Sequence, residues 1–153
     1  MKVLRGDTMT IYEQAKAFKR KYQMSVAWRL RKNSRVVQKH LNEDETVKYV
    51  FVGQKNDHFY DVFSTAVLVM TNQRLLIGRK RILFGYFLDV ITPDKFNDMN
   101  VYAGLLWGKV NIYTIKEVVT LTNISKRALP EIETNVTACM MRAKEKYCNN
   151  LSR

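Results

Sequence analysis

Seven short segments with strand-like patterns follow one another between residues 46 and 122, and this succession constrains the fold most strongly. In the first segment, 46–52, Val47, Tyr49 and Phe51 alternate with less apolar neighbours, which is typical of a half-buried strand. Parallel strands require long crossovers, and the links here are short, so an antiparallel meander is expected. The stretch 53–57 is predicted to be a loop and 71–74 a tight turn. The other strands are predicted at residues 63–70, 75–80, 86–91, 99–103, 109–115 and 117–122.

An amphipathic helix is predicted after the last strand. Pro130 suits a first helical turn, and Glu131 and Glu133 complement the positive end of the helix dipole. An apolar stripe follows at helical spacing: Ile132, Val136, Cys139, Met140, Ala143 and Tyr147. We therefore expect a mainly β (α+β) fold, in which a seven-stranded antiparallel barrel or sandwich is capped by a C-terminal helix that closes its open end.

The region before Asn42 has a helical pattern and forms an N-terminal helical extension of this fold. Thr8 or Thr10 can cap a helix that runs to about Tyr22, with Ile11, Ala15, Phe18 and Tyr22 on one stripe. A second helical stretch is predicted at residues 34–41. The sequence thus divides into a basic helical arm, residues 1–40, and a domain at residues 41–149.

The positive charge is concentrated in the arm. The formal net charge is +12, and residues 1–42 hold 11 Lys and Arg against Asp7 and Glu13, a net of +9. Such an asymmetry suggests an anionic partner. The candidate contacts are Lys16, Lys19, Arg20, Lys21, Arg29, Arg31, Lys32, Arg35 and Lys39.

Three interpretations of the arm remain open. Its cations could lie on an anionic membrane, with Phe18, Tyr22 and Trp28 in the interface. They could instead contact the phosphates of a nucleic acid. The third alternative is that the apolar stripe docks on its own barrel, or on a second copy of the chain as a homo-oligomer, and leaves the cations as a solvated face.

Two further candidates lie in strand links. Arg79, Lys80 and Arg81 are predicted to lie between the third and fourth strands, where they either contact an anion or protect the sheet edges. Trp107 and Tyr102, beside Gly104 and Gly108, form either a contact surface at a loop tip or packing at the barrel rim.

No catalytic, metal or cofactor site is expected. The chain is predicted not to be an enzyme, and no small-molecule substrate is expected. The grouping of His40, Glu43, Asp44 and Glu45 with His58 and Asp61 matches no zinc or calcium motif. There is no Gly-rich phosphate loop or nucleophile elbow.

A cytoplasmic location, free or peripheral at the membrane, is also expected. The longest apolar run, residues 66–70, is far shorter than a membrane span, and no signal peptide is recognised. Cys139 and Cys148 would lie about 13 Å apart on one helix, too far for a disulfide, which fits a reducing compartment.

Two sequence segments resemble the bacterial pleckstrin-homology-like (PH-like) domain family, the YokE-like PH domains. They are VMTNQRLL at residues 69–76 and YAGLLWGKVNI at residues 102–112, preceded by the acidic LNEDE at 41–45. The resemblance covers residues 41–147 and implies a PH-like barrel without catalytic residues.

The resemblance does not imply phosphoinositide recognition. Lys55 could serve as the first basic residue of the eukaryotic headgroup signature, but residues 63–68 contain no base. The expected function is a non-catalytic interaction module that binds a protein partner or docks on an anionic membrane through the basic arm. A nucleic-acid-binding accessory protein is the alternative.

Overall fold

A computed structural model describes residues 9–55 and 64–152. Its seven strands form one antiparallel sheet in the order β4-β3-β2-β1-β7-β6-β5, and a long helix follows them, so the predicted fold class is confirmed. The strands are β1 (Val47–Lys55), β2 (Thr65–Thr71), β3 (Leu75–Lys80), β4 (Tyr86–Ile91), β5 (Phe96–Ala103), β6 (Trp107–Thr114) and β7 (Val118–Ser125). The helices are α1 (Ile11–Lys21), α2 (Leu30–Gln38) and α3 (Leu129–Leu151).

The sheet curls into a half-barrel, and β1 and β7 join its two halves. Among the described residues, Gln54 lies opposite Thr122 and Lys55 lies opposite Leu121. All seven residues of β2 are buried, so both faces of the sheet are covered there. Helix α2 packs on the face that contains Gly78, and α3 contributes Ile132, Val136 and Met140, all fully buried.

Helix α1 begins as the sequence predicts. The Thr10 side chain accepts a hydrogen bond from the Glu13 amide at 3.2 Å, and the Glu13 carboxylate accepts one from the Thr10 amide at 2.7 Å. This reciprocal pair satisfies two amides that a helix start leaves without partners. Thr8, the other candidate cap, lies outside the described residues.

Helix α2 begins four residues earlier than the prediction at residues 34–41 and ends at Gln38. The reason is that its buried face is partly polar. Asn33 is buried, and its amide group donates to the Thr65 carbonyl at 2.9 Å and accepts from the Lys80 amide at 2.8 Å. A polar residue on the packed face conceals the apolar periodicity on which the prediction depends.

Helix α2 runs along β3 from its end to its beginning. Arg29, just before the helix, bonds to the carbonyl of Lys80 at the end of β3. His40, just after the helix, accepts through its carbonyl a bond of 2.9 Å from Arg74, which precedes β3. Helix α2 is therefore antiparallel to β3.

Strand β1 begins one residue later and ends three residues later than predicted, because Gly53, Gln54 and Lys55 continue the strand instead of forming a loop. A Cβ at Gly53 would lie 3.0 Å from Ile124 Cδ1, so this glycine permits close packing and does not mark a turn. Strand β2 starts at Thr65, and Phe63, its predicted start, lies outside the described residues. Strands β5, β6 and β7 are also shifted or extended relative to their predicted bounds, and Gly108 lies inside β6.

Candidate functional site

The apolar stripe of α1 is buried against its own sheet. Ile11, Ala15, Phe18 and Tyr22 are all buried, and the Phe18 ring lies 6.4 Å from the Phe51 ring of β1. This overturns the version of the membrane hypothesis in which Phe18 and Tyr22 enter the lipid. The stripe is also not a surface on which a second copy can dock, because the same chain already covers it.

A carboxylate on α3 holds the end of α1 in place. Glu131 accepts hydrogen bonds from Lys21 Nζ at 2.5 Å, from the Tyr22 hydroxyl, and from the Tyr49 hydroxyl at 3.3 Å. Burial alone would raise the pKa of the Glu131 carboxyl, but Lys21 and Tyr22 hold that pKa below its ordinary value. Burial together with the Glu131 charge raises the pKa of Tyr49. Lys21 is therefore engaged within the chain.

The segment between α1 and α2 crosses the ends of several strands. Ser25 Oγ accepts from the Ser125 amide at 2.9 Å, and the Val26 amide donates to the Asn123 carbonyl of β7 at 2.8 Å. Further along, the Trp28 amide donates to Thr65 Oγ1 of β2 at 3.1 Å. The crossing fixes the direction in which the chain enters α2.

Two more of the sequence-predicted cations also bond within the chain. Lys19 Nζ donates to the carbonyls of Gln23 at 2.6 Å and Ser25 at 2.5 Å. Arg29 has a left-handed backbone, with φ of 54°, and its guanidinium donates to the carbonyls of Lys80 at 3.4 Å and Arg81 at 3.3 Å. Both residues stabilise the N-terminal region and the base of the β3–β4 hairpin.

The other described cations of the arm are exposed. On α1 these are Lys16 and Arg20. On α2 and at its C-cap, four exposed cations form a group that we call the α2 cationic surface: Arg31, Lys32, Arg35 and Lys39. Lys16 and Arg31 both approach the Tyr12 ring, at 5.9 and 5.2 Å from its centroid, so the structure brings the two helices' cations together.

A further group of cations, Arg79, Lys80 and Arg81, precedes the tip of the β3–β4 hairpin. The guanidinium carbons of Arg79 and Arg81 lie 4.6 and 5.2 Å from the centroid of the Phe87 ring on β4. Lys80 is held by its backbone, which contacts both Asn33 and Arg29. The tip beyond these cations consists of Ile82, Leu83 and Phe84.

The apolar character of this tip is a feature that the sequence interpretation missed. Ile82, Leu83 and Phe84 are 63%, 82% and 83% exposed. Turns normally use Gly, Pro, Asn, Asp and Ser, so three consecutive apolar residues in a turn are a signal that could have singled them out.

The two tryptophans have different environments. Trp28 is 60% exposed and lies near the hairpin base, because its carbonyl accepts a bond of 3.3 Å from Asn33. The Trp107 indole N–H donates to the Met24 carbonyl at 2.8 Å, so this ring is tied to the N-terminal region while part of it stays exposed. Tyr102 remains exposed beneath Lys109.

The residues considered as metal ligands have structural partners. Glu45 is buried in an ion pair with Arg74, and the His40 ring contacts the Val36 carbonyl and the Tyr86 hydroxyl. Within residues 9–55 and 64–152, no three His, Cys, Asp or Glu side chains are grouped as metal ligands would be. His58 and Asp61 lie outside the described residues.

None of the helices in the described part of the chain is both long enough and apolar enough to cross a membrane.

Comparisons with known proteins identify the fold family. Residues 41–137 match the family model described as bacterial PH domain. The chain is also similar to the crystal structure of a pleckstrin homology domain from Shewanella amazonensis SB2B, with 15% identity, coverage of 71% of this chain and 86% of that chain, and a TM-score of 0.44. No curated protein matches the sequence. PH domains are generally non-catalytic interaction modules. The family model spans more than half of the chain, which therefore belongs to the bacterial PH domain family.

Proposed function

We propose that this chain is a non-catalytic interaction module that docks peripherally on an anionic membrane surface at the cytoplasmic side. In this proposal, residues 41–149 provide the PH-like scaffold, and residues 1–40 provide most of the charge. The contact is made by the outer surface of α2 and the neighbouring β3–β4 hairpin, with α1 packed on the sheet.

One observation carries the proposal: a long, structured stretch of cations contains no acidic residue. Residues 14–42 include nine Lys and Arg and no Asp or Glu. In the described part of the chain, no ion pair involves any member of the α2 cationic surface. An uncompensated basic surface is attracted to anionic lipids, and the attraction weakens with ionic strength.

Vesicle flotation tests this proposal. The full chain is expected to float with phosphatidylcholine vesicles that contain phosphatidylglycerol, and to float less as salt is added. Replacing Arg31, Lys32, Arg35 and Lys39 with Gln is expected to weaken binding by about fivefold for each charge removed. Absence of binding to the anionic vesicles at low salt would refute the proposal.

A matched variant separates a specific surface from net charge. Replacing Lys116, Arg127, Arg142 and Lys146 with Gln removes four exposed cations outside the arm, and so reduces the net charge of +12 by the same amount. This variant is expected to retain most of the binding. An equal loss in both variants would contradict the assignment to α2, and salt-sensitive binding to an oligonucleotide in place of vesicles would favour a nucleic-acid partner.

A further inference from the structure

We propose that the tip of the β3–β4 hairpin, Ile82-Leu83-Phe84, inserts into the interface of an anionic lipid bilayer as an apolar wedge. This inference rests on the proposed function and specifies how the membrane is engaged. The closing experiment separates the two.

Closure of the turn does not require apolar side chains at the tip. The turn is closed by the Arg81 amide, which donates to the Gly85 carbonyl at 3.2 Å, and by Gly85, whose φ of 78° favours glycine. Neither feature needs an apolar side chain at the tip. The β2–β3 turn uses Asn72 and Gln73 at the corresponding place. Exposed apolar residues in a contiguous patch typically mark an interaction site.

Further exposed aromatic residues adjoin the tip. Tyr86 and Phe87 of β4 are about half exposed, and Trp28 is 60% exposed beside the hairpin base. Because Tyr86 and Phe87 are consecutive strand residues, their side chains lie on opposite faces of the hairpin. Trp and Tyr favour the headgroup level of a membrane, where their rings have both apolar and polar surroundings.

Cations surround the base of the wedge. Arg79, Lys80 and Arg81 directly precede the tip, and residues 71–88 contain no Asp or Glu. A strand rises about 3.3 Å per residue, so Arg81, Lys80 and Arg79 lie up to roughly 7, 10 and 13 Å behind Leu83. Interfacial apolar groups enter the acyl boundary by about 5–10 Å, so insertion of the apex brings these cations to the level of the lipid phosphates.

The wedge is held in place before it binds. Arg29 donates to the carbonyls of Lys80 and Arg81, and the buried Asn33 accepts from the Lys80 amide. A preorganised hairpin loses little conformational freedom on insertion, which favours binding. The Arg29 side chain therefore acts as a positioning group and need not contact lipid itself.

These features fit a bilayer better than a nucleic acid. An apolar apex with a cationic base matches the order of acyl chains and phosphates along the membrane normal. A nucleic acid would place its charged phosphates against the apolar apex, and desolvating a charged group against an apolar surface is unfavourable.

The experiment compares two hairpin tips in the full chain. Leu83 and Phe84 are replaced with Ser, and Leu105, which is 88% exposed at the β5–β6 tip, is replaced with Ser as the matched control. The L83S/F84S variant is expected to lose at least about tenfold in partition to vesicles that contain phosphatidylglycerol, because burial of one such side chain corresponds to that factor. The L105S variant is expected to bind like the parent chain. Equal binding by all three chains would overturn the wedge.

Insertion is measured directly with a fluorescent probe. In a W28F background, the F84W variant is expected to show a blue-shifted emission and quenching by lipids brominated in the upper acyl chain, whereas the L105W variant shows neither. Trp107 contributes the same background to both. Because Trp28, Leu83, Phe84 and Leu105 are all exposed, circular dichroism is expected to show that these variants keep the fold of the parent chain.

The outcomes distinguish the two proposals. If no chain binds the anionic vesicles, both proposals fail. If the parent binds and the α2 Gln variant does not, but F84W is unquenched and L83S/F84S binds normally, the wedge fails and the cationic docking stands. If F84W is quenched in the anionic vesicles and L83S/F84S binds weakly, but the α2 Gln variant binds normally, the wedge stands and the assignment of the cationic contact to α2 fails.

Discussion

Arg74 holds the buried carboxylate of Glu45 with two parallel hydrogen bonds. Arg74 Nε lies 2.9 Å from Glu45 Oε1, and Arg74 Nη2 lies 3.0 Å from Glu45 Oε2. The Thr71 hydroxyl donates to the same carboxylate at 2.7 Å, and the Asn42 amide donates at 3.0 Å. Burial opposes ionisation, but these donors hold the pKa of Glu45 below its ordinary value. Two features of the family resemblance, the acidic lead-in and the TNQR turn, thus have a structural role.

The first prediction concerns this ion pair. Replacing Arg74 with Met is expected to lower the free energy of unfolding by about 3 kcal/mol, because it leaves a buried carboxylate without its partner. Replacing the exposed Arg127 with Met is the matched control and is expected to change little. Urea denaturation checks both. A small effect of R74M would show that the Thr71 and Asn42 donors suffice for Glu45.

The second prediction concerns acid stability. The folded pKa of Glu131 lies below its ordinary value of about 4.3, so its stabilising contribution is complete above that pH and is lost as the pH falls through the folded pKa. The E131Q variant is expected to lose less stability than the parent chain between about pH 5 and pH 3. Thermal unfolding over this range measures the difference, with the exposed Glu133→Gln as the control. Identical pH profiles of E131Q and the parent would contradict the assignment.

The third prediction tests the packing of α2 on β3. A Cβ at Gly78 would lie 2.4 Å from Val37 Cγ2, so G78A is expected to lower the free energy of unfolding by about 1–3 kcal/mol through overpacking. The V37A substitution removes the atom that clashes. The double variant is therefore expected to be more stable than the sum of the two single effects implies. Simple additivity would mean that α2 shifts as a unit to relieve the clash.

The fourth prediction tests whether the arm and the PH-like domain unfold together. Replacing the buried Phe18 with Ala is expected to lower the free energy of unfolding of the whole chain by about 3–5 kcal/mol. Replacing the exposed Phe84 with Ala provides a matched control with little expected effect. Denaturation followed by circular dichroism and by tryptophan fluorescence checks this. An early loss of helix signal alone would show an independently unfolding arm.

The fifth prediction concerns the base of the hairpin. The R29N variant keeps a residue that tolerates the left-handed backbone but cannot reach the carbonyls of Lys80 and Arg81. The Arg81 amide is expected to exchange with solvent about tenfold faster, since its bond to Gly85 loses support. Hydrogen exchange measured by NMR tests this, with R31N on the outer face of α2 as control. Unchanged exchange in R29N would show that strand pairing alone fixes the hairpin.

The sequence predicts most elements well where side-chain periodicity is strong. Strands β3 and β4 begin and end where expected, and the α1 stripe is buried as far as Tyr22. In the α3 stripe, Ile132, Val136, Met140 and Ala143 are buried, Cys139 is half-buried and Tyr147 is exposed. The predicted bounds of an element are wrong where tertiary packing, and not the local pattern, explains the type of a residue. Gly53 allows close packing inside a strand, and Asn33 satisfies backbone groups of two strands from a buried helix face.

The candidate site is less accessible from sequence than the fold. The pattern of basic residues selects Arg79, Lys80 and Arg81 as candidates, and their role stays a prediction. Composition does not reveal that Lys19, Lys21 and Arg29 bond within the chain while the α2 cations remain exposed. Composition also does not show that Leu83 and Phe84 are exposed, because an apolar residue is ordinarily expected to be buried.

The local pattern of the chain determined the seven strands, the closing helix and the location of the excess charge, because periodicity and charge are properties of neighbouring residues. Tertiary structure alone decided whether the N-terminal region was free or docked. That outcome depends on contacts between residues far apart in sequence, such as Lys21 with Glu131 and Arg29 with Lys80. The same long-range contacts bury Phe18 and Tyr22 and leave the β3–β4 tip exposed, because only packing decides which apolar residues find partners.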